Sequence, residues 1–379
     1  MKKLGLYIHI PFCARKCNYC DFYSLPHSQE REEEYITALC NHIRCESNLY
    51  KNCEFDTVYL GGGTPSVLSV DSITRLVQAV KECLNLTQGG EFTVEVNPCS
   101  VTKEKLVAYK ALGINRLSMG VQSANDTELT CLGRLHTKER AQNAFLLARE
   151  CGFDNISLDL MFGLPDQGVE DFRKSIDFVL SLSPEHISAY GLKIEKNTPF
   201  GRAQSSLSLP TEDEECAMYD LLCDALLEKG YEQYEISNFS KIGYRARHNV
   251  KYWLAQEYVG FGPSAHSYFD GVRYYYESDV DMYISGAWKK IKEDGSEPSD
   301  PEKNEMLEKM DEYVMLRLRL CDGVDEGEFE AVFQSAFISE YPKIANYVKS
   351  GHVTRQNGKF AFTKAGFFVS NYILSDILH

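Results

Sequence analysis

Tyr7-Ile8-His9-Ile10-Pro11-Phe12-Cys13-Ala14-Arg15-Lys16-Cys17-Asn18-Tyr19-Cys20 runs from a β-rich segment straight into three cysteines at C-x3-C-x2-C spacing. A loop that directly follows a strand lies at the carboxyl end of a parallel sheet, where such sheets assemble their sites. Thiolates suit zinc or iron–sulfur clusters. Three thiols in one tight loop hold three corners of a cubane and leave the fourth iron open to a ligand. A zinc site needs a fourth donor, for which His9 or His27 stands nearby. Such sites usually pair two short C-x2-C arms far apart, and this loop has one compact triplet with no second arm.

Outward from this stretch, short β-rich runs alternate with longer runs of helical period, the pattern of βα units on a parallel sheet. Strands are expected at Leu4–Ile10, Thr57–Gly61, Phe92–Val96, Arg116–Val121, Ile156–Met161, His186–Leu192 and, more weakly, Tyr234–Ser237. Amphipathic helices are expected at Glu32–Leu49, with Tyr35, Leu39 and Ile43 a turn apart, and at Thr211–Lys229, with Met218, Leu222 and Leu226. The fold class expected is α/β: a partial parallel (β/α)6-type, TIM-like barrel over residues 1–236. Residues 237–294 then form a connecting segment, and 295–379 a smaller α+β unit. The stretch Gly295–Lys303 is polar and holds Pro298 and Pro301, which marks a linker. Beyond it a helix at Asn304–Leu320, helices near Glu326 and Tyr341, a hairpin turning at Asn357-Gly358 and a helix from Ala365 suggest a winged-helix-like unit.

Composition limits the function classes. The chain has 379 residues, 40 Lys and Arg against 55 Asp and Glu, and a formal charge of −15. Such a surface repels polyanions, so the winged shape points to packing on the barrel and no nucleic-acid partner is expected. The apolar run after Lys2 and Lys3 is too short for a signal-peptide core, and a cytoplasmic location is expected. Thirteen cysteines, an odd number, fit a reducing compartment. Cys40, Cys45, Cys83, Cys151, Cys216 and Cys223 occupy apolar helical positions and are expected in the core.

Further polar elements fall at successive strand ends: Gly61-Gly62-Gly63-Thr64-Pro65, Glu95 in Val94-Glu95-Val96-Asn97-Pro98, Gln122 in Val121-Gln122-Ser123, and Arg134 in Leu132-Gly133-Arg134. Asp159 lies inside an otherwise apolar strand, where a carboxylate needs a partner. Arg134 read blandly is a solvated helix-end charge, and a triple glycine is usually a turn.

With Tyr19 just before the last cysteine, the triplet resembles the signature of the radical S-adenosylmethionine superfamily. The resemblance implies a 4Fe–4S cluster on Cys13, Cys17 and Cys20. It also implies S-adenosylmethionine chelated to the open iron and cleaved to a 5′-deoxyadenosyl radical. The opening Tyr7-Ile8-His9-Ile10-Pro11-Phe12-Cys13, with Gly-Gly-Gly-Thr-Pro, Glu-Val-Asn-Pro, Val-Gln-Ser and Asp-Leu-Met-Phe-Gly-Leu-Pro in order, is similar to the group containing oxygen-independent coproporphyrinogen III oxidase and its heme-chaperone relative. Carried over by motif, Tyr7, Tyr19, Gly62, Gly63, Thr64, Glu95, Gln122, Arg134 and Asp159 are expected to line the S-adenosylmethionine site.

In this group the oxidase carries a further cysteine two residues after the triplet and a longer N-terminal extension. Here Phe22 follows Cys20-Asp21 and Tyr7 stands near the start. Both departures favour the chaperone, as does His248-Asn249-Val250-Lys251-Tyr252-Trp253, similar to its His-Asn-x-x-Tyr-Trp segment. The resemblance therefore implies heme as cargo, His248 as its ligand, and a membrane-bound respiratory protein as receiver. A histidine near aromatics is more often hydrogen-bonded packing, and His266, in a Gly-rich loop, competes for the role. His9 is expected to support the cluster. The rival readings are the oxidase, acting on coproporphyrinogen III, and a zinc-stabilised binding module.

Overall fold

The structure is a computed structural model and describes residues 1–293 and 306–378. The expected linker falls outside those residues. Six βα repeats begin at the N-terminus: β1 (Lys2–Ile10), α1 (Gln29–Glu46), β2 (Cys53–Gly62), α2 (Val70–Cys83), β3 (Leu86–Val96), α3 (Lys103–Ala111), β4 (Arg116–Gln122), α4 (Lys138–Glu150), β5 (Ile156–Phe162), α5 (Val169–Leu182), β6 (His186–Gly191) and α6 (Glu212–Glu228). Helix starts are set locally. Ser28, Ser69, Thr102, Thr137 and Thr211 each accept a hydrogen bond from a backbone N–H of the first turn, and the Glu214 carboxylate accepts one in return from the Thr211 amide.

Strands β1 to β6 pair in parallel and in sequence order. Tyr234–Ser237, expected as a seventh strand, is a turn. The chain pairs instead through β7 (Glu232–Gln233) and β8 (Asn238–Ser240), with β8 antiparallel to β6. The free edge of β1 is taken by a distant segment. After α7 (Arg247–Trp253), strand β9 (Tyr258–Phe261) runs parallel to β1, and β10 (His266–Phe269), β11 (Val272–Tyr276) and β12 (Lys290–Lys292) continue antiparallel. The segment read as a connection thus contributes strands to one twelve-stranded sheet, ordered β12-β11-β10-β9-β1-β2-β3-β4-β5-β6-β8-β7. Among the described residues its two ends do not pair, so the barrel is open there.

Along β2 to β6 apolar residues such as Leu60, Val94, Leu117, Leu158 and Ile187 are buried toward the helices. Thr57, Tyr59, Glu91, Glu95, Arg116, Ser118, Asp159, His186 and Ser188 alternate with them toward the interior. This two-residue phase gives the barrel a polar lumen. Of the cysteines expected in the core, Cys40 and Cys223 are buried, Cys83, Cys151 and Cys216 are half-buried, and Cys45 is exposed. Their helical positions lie at the margin of the apolar faces.

The C-terminal unit opens with α8 (Met306–Arg317) and holds a three-stranded sheet of Val324–Asp325, Lys359–Phe362 and Val353–Gln356. Its hairpin turns at Asn357-Gly358, both with positive φ. The unit docks on the barrel: Lys364 pairs with Asp224 at 2.9 Å, Arg245 with Asp322 at 3.0 Å, and the amide of Ile236 donates to Arg319 O at 3.1 Å. No helix of the described residues is long and apolar enough to cross a membrane.

Candidate functional site

A cavity of about 640 Å³ opens at the carboxyl end of the strands. Cys13, Cys17, Cys20, Tyr19, Gly62, Gly63, Thr64, Glu95, Gln122, Arg134 and Asp159 all line it, so eleven positions from six separate stretches of chain converge. Tyr7 and His248 do not line it.

The cysteine loop is held from several sides. The amide of Asn18 donates to Leu132 O at 3.0 Å and its side chain to Cys131 O at 2.8 Å. His9 accounts for the far end: its Nδ1 lies 3.1 Å from the Tyr7 hydroxyl and its Nε2 2.9 Å from Tyr23 O, just beyond Cys20. Burial lowers the proton affinity of His9 to about 4, so its ring stays neutral. Gly62, at φ +108°, leaves room for that ring, since a Cβ there would stand 2.5 Å from His9 Cε1. Gly63 is equally constrained, with a Cβ falling 2.7 Å from Phe12 O. These glycines form a cradle beside the cysteines.

Among the described residues no three or more His, Cys, Asp or Glu side chains converge on a single-ion site. Thiolates that each take a different iron corner need not converge in that way. Burial raises the Cys20 thiol, and the neighbouring Cys17 and Cys13 add to this. The Phe22 amide and Lys16 oppose that rise in part. Arg134 reaches Cys17 Sγ at 3.7 Å through one nitrogen and donates to Gly120 O at 2.7 Å through another, while its buried Nε has no hydrogen-bond partner. Thr64 Oγ1 lies 3.4 Å from Cys13 Sγ. An unpaired guanidinium edge and polar groups around three thiols fit a cluster with a carboxylate-bearing ligand beside it.

Glu95 accepts from the Tyr59 hydroxyl at 2.8 Å and from the Gly62 amide at 3.2 Å. Burial, opposed by Tyr59 and aided by Asp159, pushes its carboxyl up to about 7. Asp159, also raised by burial, accepts from Ser118 at 3.2 Å and from Ser157 at 3.1 Å. Gln122 sits at φ +69°, a left-handed conformation that turns its side chain from the strand into the cavity. Buried carboxyls poised to ionise suit a cationic ligand, and S-adenosylmethionine is one.

Several lining residues escape a reading of the motifs alone. Arg116 is 2% exposed on the cavity floor with its Nε unpartnered, between Glu95 and Asp159, and Tyr59, Ser118, Ser188 and Asn249 complete the wall. Phase with Glu95 and Asp159 on the strands could have flagged the strand residues; Asn249 comes from α7 and carries no such signal.

His248 is placed differently from its expected role. It lies at the opposite, amino-terminal end of the barrel, 1% exposed. Nδ1 stands 2.9 Å from Thr57 Oγ1 and Nε2 2.8 Å from the Tyr252 hydroxyl, and its ring stacks on Tyr59 with centroids 5.2 Å apart. Burial, then the neighbouring Lys251 and Arg116, lower its proton affinity to about 3. Both ring nitrogens are engaged by hydroxyls in this structure. The backbone amides of Arg247 and His248 donate to Glu91 at 2.9 Å, and Lys251 pairs with Asp56 at 2.8 Å. The His-Asn-x-x-Tyr-Trp helix is therefore a plug that closes the barrel base and supports Tyr59 beneath Glu95.

Comparison with known proteins agrees with this architecture. Residues 7–179 match the Radical SAM superfamily and residues 306–369 the HemN C-terminal domain. The heme chaperone HemW of Bacillus subtilis (strain 168) is 35% identical over 376 residues, covering 98% of each chain. That of Escherichia coli (strain K12) is 33% identical over 379 residues, covering 98% of this chain and 97% of the other. Among solved structures, coproporphyrinogen III oxidase (HemN) from Escherichia coli superposes with a TM-score of 0.85 at 22% identity, covering 100% of this chain and 90% of that one. At that identity the likeness establishes the fold.

Proposed function

Because the chain belongs to the radical S-adenosylmethionine superfamily and, within it, to the family of the heme chaperone HemW, we propose that it is itself a heme chaperone. It takes up heme, keeps a 4Fe–4S cluster with S-adenosylmethionine, and passes heme to a respiratory apoprotein at the cytoplasmic face of a membrane. The observation that carries this reading is similarity over the full length, C-terminal unit included, to relatives named heme chaperone.

Cys13, Cys17 and Cys20 would hold the cluster. Gly62, Gly63, Thr64, Glu95, Gln122, Arg134 and Asp159 would hold S-adenosylmethionine. When bound, the pair supplies one-electron chemistry. The chain's own contribution is to bind and exclude water. Arg134 offers its free guanidinium edge to a carboxylate, Glu95 accepts from a cationic ligand once its proton leaves, and the Gly62–Gly63 cradle lets backbone approach closely. Tyr7, outside the cavity wall, acts through its hydroxyl near His9.

Oxidative decarboxylation of coproporphyrinogen III is the rival activity, supported by a likeness that concerns fold. Position 22, where the oxidase is expected to carry cysteine, holds Phe22, 71% exposed at the cavity mouth. The reading is tested by loading the anaerobically reconstituted protein with heme and mixing it with heme-depleted respiratory membranes. Recovery of heme-dependent activity supports a chaperone. Heme retained by the loaded protein, with no recovery, overturns delivery.

A further inference from the structure

His266 carries the feature that His248 lacks. Among the described residues the rings of His9, His42, His136, His186 and His248 are at most 4% exposed and hydrogen-bonded inside the protein. His27 pairs with Glu32 at 2.5 Å, and His352 faces Ser350 at 2.8 Å in the C-terminal unit. The side chain of His266 is 53% exposed. Its Nδ1 lies 3.6 Å from a carboxylate oxygen of Glu293, and its Nε2 makes no hydrogen bond among the described residues. A carboxylate near one ring nitrogen, with the other unbonded among the described residues on an exposed ring, is compatible with a histidine serving as a metal donor.

The surroundings suit a flat aromatic ligand. Pairing sets His266 opposite Tyr275, Tyr275 opposite Ile291, and Tyr258 opposite Tyr268. Strand alternation places these four other side chains on the face of His266, together with Arg273, which is registered with Tyr268 and lies over its ring at 4.5 Å. That face continues the one carrying Tyr7, since Tyr7 is registered with Gly260 and Gly5 with Tyr258. Tyr275 stacks on the imidazole with centroids 5.1 Å apart and planes at 24°. Tyr268, Tyr275 and Ile291 are half-buried and Tyr258 is buried, so the surface is aromatic, partly accessible and already ordered by strand pairing, with Arg273 paired to Glu312 beside Tyr268. β10 begins at the carboxyl end of β9, so His266 stands at the cysteine-loop end of the barrel, whereas His248 is at the base.

Resting on the heme-chaperone reading above, we propose that His266 is the protein's axial ligand to heme iron, with Glu293 orienting its ring and the β10–β11–β12 face bearing the macrocycle. Heme would then lie beside the cluster loop on the same concave sheet, with His9, which anchors Tyr23 O, between them.

The test is titration of the unaltered full chain and of His266→Ala, Glu293→Gln and His248→Ala with ferric heme, followed by absorption and electron paramagnetic resonance. His266→Ala is expected to shift the Soret band and weaken binding at least about tenfold, and added imidazole is expected to restore the unaltered spectrum. Glu293→Gln is expected to cost about tenfold with the ligand retained. His248→Ala is expected to keep the unaltered heme spectrum. An unaltered spectrum and affinity in His266→Ala overturns this assignment while leaving heme binding intact. Failure of the unaltered chain to bind heme overturns the chaperone reading and the assignment with it.

Discussion

The Tyr59 hydroxyl donates to Glu95 at 2.8 Å while the same ring rests on His248, so one tyrosine joins the cavity carboxylate to the helix that plugs the barrel base. Removing the His248 imidazole leaves the Thr57 and Tyr252 hydroxyls without partners and a void under Tyr59. His248→Ala should therefore destabilise the fold by about 2–4 kcal/mol, read as a lower denaturant midpoint. A midpoint unchanged from the unaltered chain would remove His248 from the packing role assigned to it.

Glu95 gives a pH dependence with a defined sign. Its proton is held more tightly folded, to about 7, than the ordinary 4.5, so folding takes up a proton between those values. Its contribution to stability therefore falls as pH rises across that window. Glu95→Gln, which never ionises, should gain stability relative to the unaltered chain as pH rises from about 4.5 to about 7. Over the same range the affinity of the unaltered protein for cationic S-adenosylmethionine should rise, as the ionised carboxylate becomes available. Calorimetric titration at several pH values checks this, and a flat profile contradicts the placement.

Arg134 spans Cys17 and Gly120 with a fork that a lysine cannot reproduce. Arg134→Lys should weaken S-adenosylmethionine binding by about tenfold or more while iron and sulfide content stay unchanged. Equal affinity in the lysine variant would show that only charge matters there.

Cys17 is half-buried and serves no core cluster. Cys17→Ser should abolish the broad iron–sulfur absorption after anaerobic reconstitution and leave the thermal midpoint of the protein prepared without iron unchanged. Full cluster content in this variant would contradict a three-cysteine site.

What the sequence could show follows from where the information lies. The triplet, the glycine run, Glu95 and Asp159 are legible because each is local and sits at a strand end whose chemistry demands it. The six βα repeats are legible for the same reason, through period and caps. Pairing of Tyr258–Phe261 with β1 is not, because it closes a contact across some 250 residues that no local pattern encodes. Arg116 and Tyr59 are hidden as polar or aromatic residues on strands until the barrel fixes which face points inward. His248 reads as a ligand in the motif, and its burial between two hydroxyl partners is hidden there because both are properties of the assembled base. His266 shows the reverse: a competitor in a glycine-rich loop, with nothing local to favour it, becomes an exposed imidazole when the sheet forms.

The most direct test of the central claim is a paired assay on one anaerobically reconstituted sample, with heme binding followed by absorption and coproporphyrinogen III consumption followed in the presence of S-adenosylmethionine and a reductant. Stoichiometric heme binding without consumption of coproporphyrinogen III is the result predicted for a heme chaperone. Turnover of coproporphyrinogen III coupled to loss of S-adenosylmethionine would contradict it and make the chain an oxidase.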